Sequence, residues 1–421
     1  MMTLKRIALA DLELGMFVHK LEGGWFDHPF WKTKFLIDNE ERLHSLKSSR
    51  LSGVVIDVSK GKDISINAEE LSRAAPVQEA TPRIERVEQR RKRSADLFRP
   101  TTIEQEIYTA RGIAQKSKER LQSTFLAARL GKVVNVRSVA PVVDDILASV
   151  RRNPHAFSGL MRCKLKNEVM FNHALSVSAL MVSLAIKMKF SQQEIRECGL
   201  AGLLLDIGVN YLPQNPPPAS GDFRNAEPKI WQQHPVLGYR GLLNGDNLPQ
   251  SVLDACLQHH ECIDGSGYPM GLQGEQISVV ARMAAICDTF DFLLTKTNTI
   301  GALDPAAAIQ HMKTMKGAFD QDILRQFIES VGLYPVGSFV ELTSGKLAMV
   351  IDEDRRLHDK PVVQIFYCLR SQKRIPPRRM ELAKSDNRED IVGIADLAGH
   401  VLPEQDVLRE LIFLSALPAE G

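Results

Sequence analysis

Among the chain's eleven histidines, His173, His234, His259 and His260 lie near expected helix ends in one stretch whose apolar residues recur at helical spacing. Two carboxylates stand out there, Asp206 in Leu203-Leu204-Leu205-Asp206-Ile207-Gly208 and Asp288 in Ala284-Ala285-Ile286-Cys287-Asp288. Near a helix C-terminus the peptide dipole disfavours negative charge, so Asp206 calls for a cation, more strongly if it is buried. Taken singly, each carboxylate also fits a surface-facing or hydrogen-bonded role, and each histidine a packed or solvated one. The run His259-His260-Glu261-Cys262-Ile263-Asp264-Gly265-Ser266-Gly267-Tyr268-Pro269 is a sharper signal. Adjacent residues on a helix do not share a face, so two neighbouring histidines can meet one ion only near a helix end. Gly265 and Gly267 supply that end, and Tyr268-Pro269 stiffens the loop beside it. The run alone leaves open a metal site and an ordinary helix-terminating turn.

The elements that must hold these side chains are legible from periodicity. From about Val134 to Leu333 the spacing is helical almost throughout. Val177, Leu180, Met181, Leu184, Ala185 and Met188 line one face of a helix after His173, and the capping box Ser191-Gln192-Gln193-Glu194 opens the next, running to about Leu205. A proline-rich loop, Pro213 to Pro218, follows. Further helices are expected over Lys229–His234, Ser251–His260 and Val279–Leu294.

Before this region, Gly15-Met16-Phe17-Val18 and Gly53-Val54-Val55-Ile56-Asp57 read as strands around a short helix from Glu40 to Lys47. The aromatic run Gly24 to Trp31 fits a small-domain core or a ligand pocket. Prolines then bracket the charge run Arg83 to Arg93, which reads as a solvated linker or as a patch for phosphate or membrane. Thr102 to Gln105 resembles a capping box for a helix over 102–128. Its stripe Ile103, Ile107, Ala110, Ala114, Leu121 and Phe125, interrupted by Ser117, is expected either to form a homodimer seam or to pack within the chain. After Leu333, Ser338 to Leu342 and Leu347 to Ile351 read as a hairpin, with Val362 to Leu369 as a third strand.

Composition bounds the rest. The chain has 421 residues, a formal net charge of +2, 44% hydrophobic and 25% charged residues, enough for two or three domains with a sizeable core. The balanced charge gives no argument for DNA or RNA binding. No run reaches the roughly 18 uninterrupted apolar residues of a membrane span; the longest, Ala174 to Ile186, ends in Lys187. Six scattered cysteines without a Cys-x-x-Cys pair fit a reducing compartment, and the expectation is a cytoplasmic protein.

The run from His259 to Pro269, with Gly271-Leu272, Gly274, Ile277, Arg282 and Asp288-Thr289-Phe290-Asp291, resembles the signature of HD-GYP domains. These belong to the HD metallohydrolase superfamily and act as bacterial cyclic-di-GMP phosphodiesterases. The resemblance covers roughly Val134 to Leu333 and extends upstream to Asn172-His173 and His234-Pro235-x-x-Gly238. The N-terminal segment, with Leu14-Gly15-Met16 and Asp27-His28-Pro29-Phe30-Trp31, resembles a small domain of unknown function that often precedes HD-GYP.

The resemblance implies a multidomain chain. Residues 1–73 would form a small strand-rich domain, 74–133 a charged linker and connecting helix, 134–333 an all-α HD-type helical bundle, and 334–421 a β-rich tail. It further implies two divalent metals, iron or manganese, ions that mixed imidazole and carboxylate ligation suits. His173, Asp206 and Asp288 would hold the first, and Asp206 would bridge to a second held by His234, His259 and His260. Asp264, Gly265, Gly267, Tyr268 and Pro269 would shape the substrate pocket, with the Gly267-Tyr268-Pro269 loop also a docking surface for diguanylate cyclases. Catalytic roles would fall to Asp206, Tyr268 and Arg282, the last as a contact behind the metal ligands or to phosphate.

Three positions depart from the family pattern. The His-Asp doublet is Leu205-Asp206, the lysine that usually follows is Val209, and Arg-Pro-Tyr after Asp288 is Thr297-Asn298-Thr299. Losing an electrostatic stabiliser of a transition state commonly costs about 2.7–4 kcal/mol. The expected function is therefore metal-dependent hydrolysis of cyclic-di-GMP to pGpG or GMP, with turnover weakened and the first metal site weakened or empty. The alternatives are a cyclic-di-GMP sensor or docking partner without turnover, and a phosphohydrolase for another cyclic dinucleotide.

Overall fold

The structure is a computed structural model that describes residues 4–22, 34–49, 51, 53–62, 99–163, 169–212, 227–245, 248–295, 302–353, 360–384 and 389–416. The chain divides into two units, Met1–Arg90 and Arg91–Gly421. In the first, β1 (Leu4–Ile7), β2 (Phe17–Glu22), β3 (Phe35–Leu36) and β4 (Gly53–Asp57) form an antiparallel sheet in the order β1-β4-β2-β3. The expected helix is present as Glu40–Lys47, opened by Asn39, whose side chain accepts from the Arg42 N–H at 2.8 Å. Met16, Val18, Ile37, Leu46, Val54 and Ile56 are fully buried between sheet and helix. The aromatic run 24–31 and the charge run 83–93 lie outside the described residues.

The second unit begins with the helix Ile103–Arg129, whose Thr102–Gln105 capping box is fully formed. Its stripe, Ser117 included, is buried within the chain, partly against the helices Ala140–Arg152 and Ala156–Cys163. Of the two expectations for this stripe, internal packing is the one realised, and the apolar seam is not available to a second copy. Glu106 adds a polar anchor to this packing face. Its carboxylate is buried and takes a bidentate bond from Arg152, at 2.7 and 2.8 Å, plus the Ser149 hydroxyl at 2.7 Å, so polar pairing pins this interface.

The helix Val169–Lys187 runs through the core. Its segment Met170–Lys187 is long and apolar enough by length and composition to cross a membrane, a wider window than the Ala174–Ile186 run, and 72% of it is buried inside the fold. Against it packs Gln192–Leu204, opened by the expected Ser191–Glu194 capping box. The two backbones nearly touch: a Cβ at Gly202 would lie 2.7 Å from Ser178 Cα, and Ser178 Oγ donates to the Gly199 carbonyl at 2.8 Å. This close approach sets His173, near the start of one helix, beside Asp206, just past the end of the other.

One expected boundary moves. Instead of one helix over Lys229–His234, a turn of helix at Pro228–Trp231 is followed by a separate helix, His234–Leu243. Pro235 in its first turn costs nothing there, since that N–H has no intrahelical acceptor. Gln250–Gln258 and Val279–Leu293 fall where expected, and Pro305–Thr314 and Gln321–Val331 complete the bundle.

The chain ends in a five-stranded antiparallel sheet, order β8-β7-β6-β5-β9, from β5 (Phe339–Leu342), β6 (Lys346–Asp352), β7 (Val362–Cys368), β8 (Lys373–Glu381) and β9 (Ile391–Ile394), then the helix Gln405–Ser415. The hairpin and third strand match expectation. Strand β8, Lys-Arg-Ile-Pro-Pro-Arg-Arg-Met-Glu, gives no alternating pattern because it is a mostly exposed edge, where proline is tolerated.

Candidate metal centre

Four helix ends and one mid-helix face bring six predicted ligands together. His173 sits in the first turns of Val169–Lys187, and Asp206 caps the short 3-10 turn Ile207–Tyr211. His234 begins its helix, while His259 caps the end of Gln250–Gln258 with His260 just beyond. Asp288 projects from Val279–Leu293. Gly208 lets the Asp206 turn approach His234. A Cβ there would overlap the His234 carbonyl oxygen and lie 2.5 Å from the Gly238 nitrogen, so the glycine is required by a backbone-to-backbone contact.

Asp206 divides its oxygens between two groups. Oδ2 lies 3.3 Å from His173 Nε2, which is also 3.0 Å from Asp288 Oδ1. Oδ1 lies 3.3 Å from His234 Nε2 and 3.6 Å from His259 Nε2. Both triads, His173-Asp206-Asp288 and His234-His259-His260, offer ligand atoms within 4.8 Å of one another.

Hydrogen bonds on the far side of each ring fix which nitrogen faces inward. His234 Nδ1 donates to the Trp231 carbonyl at 2.7 Å, and His259 Nδ1 to that of Cys256 at 3.0 Å. A neutral imidazole carries one N–H. Their Nε2 atoms, 3.1 Å apart, therefore face each other as lone pairs. His260 Nε2 is buried with no hydrogen-bond partner, and Asp206 Oδ1 likewise has none of regular geometry. Lone pairs converging in a buried space repel unless a cation lies among them. The donor set thus fits a divalent ion.

The ionisation of the cluster follows the same logic. Burial raises the Asp206 pKa, but His173, His234 and His259 outweigh it and bring it well below the ordinary value. Burial opposes a charge on His173, yet Asp206, Asp288 and Asp291 push its pKa well up. Burial, with His259 and His234 beside it, pushes His260 well down and keeps it neutral.

The loop after His260 is tightly specified. Buried Glu261 accepts backbone N–H bonds from Met270 at 2.7 Å and Leu272 at 3.0 Å, drawing the loop back on itself. A Cβ at Gly267 would overlap the Cys262 nitrogen and stand 2.5 Å from Glu261 Cα and the His260 carbonyl oxygen. Gly265 has φ +82°. Asp264 accepts from Ser266 N and Oγ at 2.9 and 2.6 Å, so it shapes the turn and is exposed. The Tyr268 ring stacks on His260 with centroids 4.7 Å apart, and the Tyr268–Pro269 peptide is cis.

Other predicted positions lie elsewhere. Arg282 binds Asp320 at 2.8 Å, and Asp320 caps the helix Gln321–Val331. No contact recorded among the described residues joins Arg282 to the six ligand candidates. Leu205 is buried, and Val209 sits in an apolar cluster with Leu212, Met170, Ile230, Trp231 and Leu237. Thr297 to Thr299 lie outside the described residues. Three contributors had no role assigned from sequence: Asp291, which accepts from His173 Nδ1 at 2.8 Å, Glu261, and Trp231. Asp291 was detectable, being one helical turn from Asp288. The Trp231 carbonyl carries no sequence signal, since any residue supplies one.

Comparison with known proteins places this geometry. A family profile described as an HD domain matches residues 161–323, and one described as a domain of unknown function (DUF3391) matches residues 4–139. The chain is 38% identical over 391 residues to "Cyclic di-GMP phosphodiesterase PA4108" of Pseudomonas aeruginosa, covering 93% of this chain and 92% of that one. It is 24% identical to "Cyclic di-GMP phosphodiesterase PdeB" of Borreliella burgdorferi, across 51% of this chain and 56% of that one. Over a shorter stretch, 30% of each chain, it is 32% identical to "3'3'-cGAMP-specific phosphodiesterase 1" of Vibrio cholerae.

Proposed function

The chain belongs to the HD-GYP family, and from that premise we propose that it is a metal-dependent phosphodiesterase hydrolysing cyclic di-GMP to pGpG or GMP. The observation that carries this reading is the convergence of the His234 and His259 lone pairs on Asp206 Oδ1 beside the loop that ends in Tyr268-Pro269. His234, His259 and His260 would hold one ion, His173 and Asp288 a second, with Asp206 between them. Such a pair would supply Lewis-acid stabilisation of the phosphodiester and of the attacking and leaving oxygens. The chain's own residues do the rest. Asp206 stays ionised and keeps the two groups in register. The backbone carbonyls of Trp231 and Cys256 hold the imidazoles in one tautomer, and the Glu261 clamp fixes the loop that lines the substrate pocket. Tyr268, stacked on His260, would contact the nucleotide.

Leu205 and Val209 support a second reading, a cyclic di-GMP receptor with little turnover. Where the family pattern has an imidazole and an ammonium, this chain packs two buried aliphatic side chains. The loop bearing Gly267, Tyr268 and Pro269 leads to the exposed Met270, which suits docking to a diguanylate cyclase. Six unpaired cysteines support a reducing, cytoplasmic setting.

The test is hydrolysis of cyclic di-GMP by the full chain, kept anaerobic with iron or manganese, beside His259→Ala. Linear product that disappears in the variant supports the enzyme. Metal-loaded protein that retains the nucleotide through dialysis without cleaving it supports the receptor.

A further inference from the structure

The two triads differ in chemistry. On one side His234, His259 and His260 bring three imidazole nitrogens, joined by Asp206 Oδ1: four donors, three of them nitrogen. On the other side His173 brings one nitrogen, with Asp206 Oδ2 and Asp288 Oδ1: three donors, two of them carboxylate oxygen. The residue before Asp206 is Leu205, only 1% exposed and unable to ligate.

Imidazole suits borderline ions such as cobalt, iron and zinc, whereas carboxylate and water suit harder ions such as manganese and magnesium. We infer that this is a deliberately unequal pair of sites: a tight, nitrogen-rich site at His234-His259-His260, and a loose, oxygen-rich one at His173-Asp206-Asp288 that takes a hard ion. This inference rests on the metal-dependent reading above and adds which ion goes where and in what order.

Ring orientation is prepared on both sides, by the Trp231 and Cys256 carbonyls for His234 and His259 and by Asp291 for His173, so the two sides differ in their donor sets. The oxygen-rich side offers fewer donors and gains nothing from Leu205. The first equivalent of a borderline ion therefore enters the nitrogen-rich side, and a hard ion added afterwards completes the pair.

The test uses the full chain stripped of metal, given one equivalent of Co²⁺ and then titrated with Mn²⁺. Cobalt is followed by its visible absorption and manganese by electron paramagnetic resonance, with metal content measured after desalting. One cobalt is expected to survive desalting, and manganese to bind at least ten-fold more weakly. Asp288→Ala should leave the cobalt band in place and abolish manganese binding. His234→Ala, or His260→Ala if the former does not fold, should abolish the cobalt band. Leu205→His should narrow the gap between the two affinities.

Two equivalents of equal affinity, or loss of the cobalt band in Asp288→Ala, would overturn the inference. Absence of any bound metal would overturn it together with the metal-dependent reading. Cobalt and manganese sorted as expected, with cyclic di-GMP left intact, would leave the inference standing and remove only the phosphodiesterase.

Discussion

Asp291 Oδ2 accepts a 2.8 Å hydrogen bond from His173 Nδ1, and this turns the opposite nitrogen of the same ring toward Asp206 and Asp288. A carboxylate behind a ligating histidine fixes its tautomer and raises its basicity, and its loss typically costs 10–100-fold in affinity or activity. Asp291→Ala is therefore expected to lower manganese affinity by about that factor while leaving the cobalt band unchanged. Metal titration of the folded variant checks it.

Metal removal should loosen the fold itself. Without an ion the inward lone pairs of His234 and His259 lie 3.1 Å apart and face Asp206 Oδ1, with His260 beside them. A ligand at 100 times its dissociation constant stabilises the folded state by about 2.7 kcal/mol. Saturating metal is expected to raise the thermal midpoint by roughly 5 °C over chelated protein. Thermal unfolding with and without chelator measures this, and His234→Ala should show no such rise.

Glu261 offers a test of the loop apart from the metals. Glu261→Ala removes two backbone bonds to a charged acceptor, at Met270 and Leu272, each of a kind worth about 1.5–3 kcal/mol. The variant is expected to show a raised KM for cyclic di-GMP and early proteolytic cleavage between residues 262 and 272, with cobalt binding retained. Glu261→Gln, which keeps one acceptor, should fall between it and the parent.

Glu353, at the end of β6, gives a pH signature away from the centre. Burial pushes its carboxyl up to about 8, Asp352 adding to the effect and Arg162 opposing it. A folded-state value above the unfolded one means the native state binds the extra proton. Its contribution to stability is thus full below about 4.5 and is lost as pH rises through about 8. Glu353→Gln cannot titrate, so its urea midpoint should gain on the parent's between about pH 5 and pH 8 and level off above that. An unchanged difference across that range would show that Glu353 is ionised throughout.

Much of this was readable in the chain. Capping boxes at Thr102 and Ser191 depend on side chains three residues apart, a local rule, and both formed. The hairpin around Gly345 and the helix Glu40–Lys47 are equally local. The six ligand candidates were nameable because imidazole and carboxylate are conspicuous in apolar helical runs. Context was what local rules lacked: the expected helix over Lys229–His234 stops before Pro235, which instead sits in the first turn of His234–Leu243, and the proline-bearing edge strand β8 carries no alternating signal.

Residue types and spacing thus set which atoms were on offer, and three-dimensional packing settled how they are shared. That Asp206 gives one oxygen to each triad, that Asp291 bonds His173 while Arg282 pairs with Asp320, and that the stripe from Ile103 to Phe125 is spent inside the chain all depend on partners distant in sequence. A side chain's type is local, but its partner is set by packing. Here packing turns on contacts such as Gly202 against Ser178 and Gly208 against His234, where the absence of a Cβ lets two backbones meet and so fixes where every neighbouring side chain points.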